Sequence, residues 1–168
     1  NQQRHRQPAV SYAFTRRAPF HGAHTTVVGL HHLIDQLRGW RFEADDLDYL
    51  ASLCYPDGNP RFTPDFLSML AALRFEGTLH ALPEGSILWP NAPILTLEAP
   101  IVLCQLLETL IINSFSLPSL VATQAARVVA SAQGDPVAEF GLRRAQGMEA
   151  GMIASRAACI GGVHATSN

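Results

Sequence analysis

The sequence predicts an α/β protein, because short apolar runs with strand-like composition alternate with segments of helical periodicity. Residues 1–100 mix both kinds of segment, which predicts an N-terminal α+β domain. Residues 101–168 contain helical segments followed by strand, helix and strand, the beginning of a parallel α/β unit. Hydrophobic residues make up 48% of the chain and charged residues 15%, as is typical of a globular protein with a core. We therefore expect two domains with a boundary near Pro100.

Most predicted elements of the N-terminal domain are short. Strands are expected at five runs of apolar or β-branched residues, 11–14, 25–30, 79–82, 87–89 and 94–97. Helices are expected at three segments with helical spacing of apolar residues, 31–37, 45–53 and 64–73. The third helix has the clearest start, because Thr63 provides a hydroxyl cap, Pro64 suits the first helical position and Asp65 is an early acid.

The C-terminal region is predicted to begin with two helices separated by a proline. An apolar helical pattern starts after Pro100, Pro118 interrupts it, and a second helix is expected over 119–132. Glu108 lies near the apolar face of the first helix, and we expect it to pair with Arg127. The next elements are expected to be a buried strand over 136–140, a helix over 146–158 and, after the apolar residues Cys159 and Ile160, a second strand.

Composition excludes several classes of function. The net charge of -2 gives no indication of nucleic-acid binding or of an anionic membrane surface. The chain has no lysine, which excludes Schiff-base chemistry and the lipoyl or biotinyl carrier modules that the hairpins of residues 80–100 resemble. No uninterrupted apolar run approaches the roughly 20 residues of a membrane span. No metal site is expected at the histidines His21, His24, His31 and His32, because no cysteine lies close to them.

The cysteines and the chain ends give two further expectations. Cys54, Cys104 and Cys159 are widely spaced, which indicates a reduced, cytoplasmic protein rather than a disulfide framework. The chain starts at Asn1 and ends within a predicted turn, so we expect a fragment of a longer protein.

The segment EFGLRRAQG, residues 139–147, contains the residues that are the best candidates for ligand binding. It places Arg143 and Arg144 at the turn between a predicted strand and a predicted helix. Ligands of α/β proteins bind at the carboxyl ends of strands, and guanidinium groups match phosphate or carboxylate anions. The structural alternative is an ion pair with Glu139 or Glu149. The segment therefore predicts an anion-binding site.

Several stretches together resemble the nicotinate phosphoribosyltransferase family. They are residues 62–66, 73–77, 81–85, 105–109, 122–127, 139–147 and 160–168. The ordered set is specific and covers nearly the whole chain from about Tyr12. The resemblance implies an α/β fold of the type II phosphoribosyltransferase kind, in which an N-terminal domain precedes an irregular α/β barrel. Of this barrel the chain would hold only the beginning, and a homodimer is implied for the full-length form.

The resemblance also implies an activity. Nicotinate and phosphoribosyl pyrophosphate would give nicotinate mononucleotide and pyrophosphate, with ATP hydrolysis coupled to the reaction and Mg²⁺ assisting. This reaction is the salvage entry into NAD synthesis. No tightly bound organic cofactor is expected.

The resemblance assigns roles to individual residues. Arg143 matches the arginine that binds the phosphoribosyl or nicotinate anion and is the expected catalytic residue. Arg144 is adjacent, and we expect only one of the two to contact the substrate. Phe140 matches an aromatic residue that stacks on the pyridine ring, and Glu139 is a supporting residue. The full set of expected substrate-binding residues is Phe140, Leu142, Arg143, Arg144, Thr166 and Ser167.

The sequence departs from the family pattern in three places. The N-terminal segment with a tyrosine that reaches into the site is absent, and the chain stops before the histidine that ATP phosphorylates and before the glycine-rich phosphate site. Ala165 stands where the pattern has glycine. The alternative is therefore a catalytically inactive remnant that acts at most as a folding or dimerisation unit.

Overall fold

The computed structural model describes residues 4–166. The helices are α1 Leu30–Arg38, α2 Ala44–Ser52, α3 Pro64–Ala72, α4 Ile101–Ser131 and α5 Met148–Ile160. The strands are β1 Pro8–Phe14, β2 Thr25–Thr26, β3 Thr78–Ala81, β4 Ile87–Leu88, β5 Pro93–Pro100, β6 Ala138–Glu139 and β7 Ala165–Thr166. Short 3-10 helices occupy Arg4–Arg6, Pro19–His21 and Leu142–Arg144.

The chain forms two compact units. One contains the residues up to Ile34 and those from Gly77 onward, and the other is Asp35–Glu76. The expected domain boundary near Pro100 is the point where β5 ends and α4 begins, and it stays a prediction.

The larger unit is built on a three-stranded antiparallel sheet in the order β1-β5-β3. Alternate side chains of β5 form its buried face, since Leu95, Leu97 and Ala99 are at most 8% exposed. Helix α4 packs against this sheet, with Leu103 and Leu107 in the core. The predicted strands of this sheet are confirmed, with β1 and β5 longer than expected.

Helix α4 is one continuous helix, so the prediction of two helices separated at Pro118 was wrong. A proline inside a helix costs about 3 kcal/mol, because its nitrogen cannot donate to the carbonyl four residues earlier. That carbonyl belongs to Ser114 and lies so close to Gly29 that a Cβ on Gly29 would overlap it. Each fully buried aliphatic or aromatic side chain contributes about 1.5–3 kcal/mol. Burial of Ile111, Phe115 and the buried residues of α4 that precede them therefore outweighs the cost of the proline.

By length and composition α4 is the one helix of residues 4–166 that would be able to cross a membrane. Its sequence is not an uninterrupted apolar run, because Gln105 and Glu108 lie within the pattern. In the structure α4 is a core helix that contacts the sheet and α5, and 39% of its most apolar window is buried.

The pairing expected between Glu108 and Arg127 was also wrong. Both residues lie on α4, about 28 Å apart along the axis at the usual rise per residue. Arg127 instead donates from Nη1 to the carbonyl of Phe20, at 2.9 Å, and its guanidinium lies 5.8 Å from the centre of that ring. Glu108 is exposed.

The strand expected over 25–30 is reduced to Thr25–Thr26, because side chains of α4 replace a neighbouring strand as hydrogen-bond partners. Thr26 N–H donates to Thr123 Oγ1 at 2.9 Å. Val28 N–H donates to Ser119 Oγ at 3.1 Å, and that hydroxyl donates back to the Val28 carbonyl at 3.0 Å. These bonds attach the backbone ahead of α1 to the central helix.

The smaller unit contains α2 and α3, and both predicted helices are confirmed to within about two residues. Thr63 caps α3 as expected, since its hydroxyl accepts from Phe66 N–H at 3.3 Å. Glu43 and Asp46 form a reciprocal capping box at the start of α2. The rings of Phe62 and Phe66 stack with centroids 5.4 Å apart.

The C-terminal region forms the expected strand, helix and strand, with different boundaries. β6 and β7 are parallel, with Glu139 opposite Thr166, and α5 connects them. α5 extends two residues beyond the predicted helix end at Ala158, because Cys159 and Ile160 form its last turn. They remain helical because α5 packs on α4 through small buried residues, Ala157 and Ala158 against Ala122 and Ala125.

The burial expected for the first strand of this region was also wrong. Ala138 is exposed and Glu139 is half-buried.

Candidate active site

The expected site residues lie mostly on the motif segment, which we define as residues 139–147. The predicted order of strand, turn and helix is confirmed, and the turn is the 3-10 helix Leu142–Arg144. Gly147 immediately precedes α5 with a φ of 96°, a conformation that favours glycine.

Glu139 holds the turn of the motif segment in place. Its carboxylate accepts hydrogen bonds from Gly141 N–H and, at 3.1 Å, from Ser155 Oγ on α5. Within residues 4–166 it pairs with neither Arg143 nor Arg144. Its carboxylate thus connects the end of β6 to the middle of α5.

Leu142 packs against α5 rather than standing free. A Cβ at Gly151 would overlap Leu142 Cδ1, so the absence of a side chain at Gly151 provides the space for this leucine. Leu142 is half-buried. This contact fixes the backbone that carries the next two residues, Arg143 and Arg144.

Both arginines of the motif segment are exposed. The structural alternative, an ion pair with Glu139 or Glu149, is not formed within residues 4–166. In the chain, Arg143 and Arg144 precede the first residue of α5, Met148, by five and four residues. The first N–H groups of a helix lack partners inside the helix, and its dipole favours an anion at this end. The arrangement is therefore suited to an anionic ligand.

The remaining expected residues lie at the carboxyl ends of the two parallel strands. Phe140 directly follows β6 and is 68% exposed. Thr166 is half-buried and lies opposite Glu139 in the strand register. Ser167, the other expected residue at this turn, lies outside the described residues. The structure thus brings Glu139, Phe140 and Thr166 to one edge, where α/β proteins bind ligands.

The family of the chain follows from comparison with known proteins. A family model described as the nicotinate phosphoribosyltransferase (NAPRTase) N-terminal domain matches residues 1–116. The chain belongs to the nicotinate phosphoribosyltransferase family. The family resemblance inferred from the sequence is confirmed.

Several relatives support this assignment. A nicotinate phosphoribosyltransferase of Mycobacterium tuberculosis is 40% identical over 160 residues, which cover 95% of this chain and 33% of that protein. The human nicotinate phosphoribosyltransferase is 40% identical over 166 residues, or 98% of this chain and 30% of that protein. The chain spans about a third of the length of the curated relatives it matches.

Solved structures of the family and its neighbours confirm the fold. The crystal structure of human nicotinic acid phosphoribosyltransferase matches with a TM-score of 0.88 and 40% identity, over 99% of this chain and 33% of that chain. A nicotinate-nucleotide pyrophosphorylase of Pyrococcus furiosus matches with a TM-score of 0.68 at 24% identity, over 97% of this chain and 33% of that chain, which shows the fold alone. The expected α/β class, an N-terminal domain of the type II phosphoribosyltransferase fold, is therefore confirmed.

This family member also has a charged contact that sequence analysis missed. Arg156 on α5 forms a fork with Glu84, donating from Nη2 to Oε2 at 2.6 Å and from Nη1 to Oε1 at 3.2 Å. Glu84 Oε1 also accepts from Gly29 N–H at 2.8 Å and from His31 N–H at 3.4 Å. The carboxylate therefore joins α5 to the beginning of α1. The partners lie 72 positions apart, so no local pattern indicated the contact.

The environment of Glu84 favours its charged form. Burial alone would raise the pKa of this carboxyl, but the hydrogen bonds from Arg156 and Gly29, with the charge of Arg156, lower the pKa below its ordinary value. The same hydrogen bond raises the pKa of Arg156. In the sequence, the available signal was an arginine within an otherwise small and apolar stretch of α5.

Proposed function

We propose that this chain is part of an enzyme that joins nicotinate to the phosphoribosyl group of phosphoribosyl pyrophosphate. The bond between the anomeric carbon and pyrophosphate breaks, a bond to the pyridine nitrogen forms, and the products are nicotinate mononucleotide and pyrophosphate. The observation that supports this proposal is the position of Arg143. It is exposed, has no acidic partner among residues 4–166, and lies between a parallel strand and the start of α5.

The chemistry explains why an unpaired arginine suits this position. Loss of pyrophosphate gives the sugar oxocarbenium character, so the enzyme must hold the anionic groups still while the pyridine nitrogen approaches. Arg143 would bind the phosphoribosyl or nicotinate anion in a bidentate contact. Phe140, which is exposed three residues before Arg143, would stack on the pyridine ring, a contact that contributes about 1 kcal/mol. At the end of the neighbouring strand, Thr166 and Ser167 would bind phosphate or ring substituents of the substrate.

The remaining roles concern Leu142, Arg144, Glu139 and Mg²⁺. Glu139 would support the turn, Leu142 would contact the substrate from that turn, and Arg144 would be the second cation near the anion. Among residues 4–166, no group of three or more His, Cys, Asp or Glu side chains is placed to hold a metal ion. We therefore propose that Mg²⁺ enters with phosphoribosyl pyrophosphate and with ATP, whose hydrolysis is coupled to the reaction. We also propose that the full-length protein acts in NAD salvage, is cytoplasmic and forms a homodimer. No nucleic-acid or membrane partner is proposed.

The test is formation of nicotinate mononucleotide by a full-length protein that contains this chain. In Arg143→Ala, kcat/KM is expected to fall about 100-fold or more, because a charged contact to the reacting anion is lost. Arg38→Ala is the matched control, because Arg38 is exposed and forms an ion pair with Asp35 in the smaller unit. Full activity of Arg143→Ala would refute the site assignment.

A second candidate is a catalytically inactive unit that folds or dimerises without turnover. The observation that favours it is that the chain spans about a third of the length of its relatives. The same assay on a polypeptide of these 168 residues separates the two candidates. Turnover by this polypeptide would exclude the inactive unit.

A further inference from the structure

We propose that Arg156 and Glu84 form a positioning pair that holds the motif segment in its active geometry. The inference rests on the proposed function of Arg143, because it concerns how that arginine is held. Neither member of the pair lies on the motif segment. Their effect would pass through α5, which Arg156 connects to Glu84 and which the motif segment contacts directly.

Two contacts transmit the position of α5 to the motif segment. Ser155 donates to Glu139, and Leu142 occupies the space above Gly151. Ser155 and Arg156 are consecutive, so their side chains leave the helix about 100° apart. One therefore faces the motif segment while the other faces Glu84. Rotation of α5 about its axis would displace both contacts of the motif segment together.

Glu84 can hold α5 in position because Glu84 is itself bound to another part of the fold. It lies in the turn before β4, where Gly85 has a φ of 86°, and its side chain is only 16% exposed. Its carboxylate accepts two backbone N–H groups at the start of α1, a position that the helix dipole also favours. Removal of Arg156 thus leaves Glu84 held by α1.

The packing of α5 on α4 is apolar. α5 packs on α4 through the small apolar side chains Ala157 and Ala158. Such surfaces permit close approach of two helices but do little to fix their rotation, since they offer no hydrogen bond. The fork between Arg156 and Glu84 has a defined planar geometry and supplies that constraint.

A double-mutant cycle in the full-length protein tests the proposal. Arg156→Gln is expected to lower kcat/KM for phosphoribosyl pyrophosphate about 10-fold, because a small misplacement of a binding group is costly. In an Arg143→Ala background the same change is expected to lower it less than about twofold, since the group being positioned is gone. Arg156→Lys, which keeps the charge, is expected to restore part of the activity. Equal losses in both backgrounds would overturn the proposal.

Hydrogen exchange provides a measurement that does not depend on activity. In the motif segment, Arg144 N–H and Ala145 N–H donate to Gly141 and Leu142 carbonyls at 2.8 and 3.1 Å. In Arg156→Gln these amides are expected to exchange about 10-fold faster while the amides between β1 and β5 keep their protection. Arg38→Gln is the control with the same chemical change in an exposed ion pair.

The two measurements separate the positioning pair from the proposed function. Faster exchange in the motif segment of Arg156→Gln, together with a wild-type protein that forms no nicotinate mononucleotide, would retain the pair and reject the function. Unchanged exchange in both Arg156→Gln and Arg156→Lys would reject the pair, whatever the activity. Loss of protection throughout the sheet would also reject it, because the contact would then stabilise the whole fold.

Discussion

Two exposed arginines of one strand–helix–strand unit differ in their partners. Arg143 is exposed in the motif segment and forms no ion pair within residues 4–166. Arg156, on the following helix, is held by a carboxylate that also accepts two backbone N–H groups. A cation with a satisfied partner holds structure, whereas one left without a partner beside a helix start is available to a ligand. This difference distinguishes the proposed anion site at Arg143 from the contact of Arg156 that supports it.

The largest effect on stability is expected at Gly29, which is a hydrogen-bond partner of Glu84. This residue donates to Glu84, has a φ of 130°, and leaves no room for a Cβ beside the Ser114 carbonyl. Gly29→Ala is expected to lower the free energy of unfolding by about 3 kcal/mol, from backbone strain and overpacking together. Urea denaturation measures this change.

Gly58→Ala is the control for the substitution at Gly29, because Gly58 also has a positive φ, of 85°, but has open space at its Cβ. Gly58→Ala therefore measures the effect of backbone strain on stability without overpacking. Equal losses at Gly29 and Gly58 would show that the contact with Ser114 is unimportant.

A smaller effect is expected at Glu84 itself, and it sharpens the comparison between the two arginines. Glu84→Ala removes the acceptor of two N–H groups and of Arg156, so the free energy of unfolding is expected to fall by about 2 kcal/mol. Arg143→Ala is expected to change it by less than about 0.5 kcal/mol, as for an exposed residue without a partner. Urea denaturation of both variants gives the difference, and a similar loss at Arg143 would contradict the division of roles.

The same contrast explains how much of the molecule was predictable from sequence. The cap at Thr63 and the order of elements around Arg143 depend on neighbouring residues, and both were predicted correctly. The continuous helix through Pro118 depends on tertiary burial, which overrides a local breaker. The contact of Glu84 with Arg156 depends on residues far apart in the chain. Local patterns therefore predicted the order of elements that carries Arg143, while the contact between Glu84 and Arg156 required the structure.

The smallest effect is expected from pH and concerns the charge of Glu84. Its pKa in the folded protein lies below the ordinary value of about 4.3, so its charge stabilises the fold fully above that pH. The stabilisation is lost as pH falls through the lowered pKa, because the unfolded chain then binds the proton more readily. Stability is therefore expected to decline below about pH 4.3, and Glu84→Gln, which keeps an acceptor for Gly29 N–H, is expected to flatten this decline.

Urea denaturation between about pH 3 and 7 measures the slope in both proteins. Asp57→Asn is the control carboxylate, because the pKa of Asp57 is lowered mainly by its own hydrogen bonds with Asn59 in an exposed turn. Its removal is expected to leave the part of the slope that depends on Arg156 intact. An acid slope that is identical in the wild type and in Glu84→Gln would mean that the charge of Glu84 contributes nothing. Arg156 would then be held by geometry alone, and the distinction drawn between the two arginines would be one of position rather than of charge pairing.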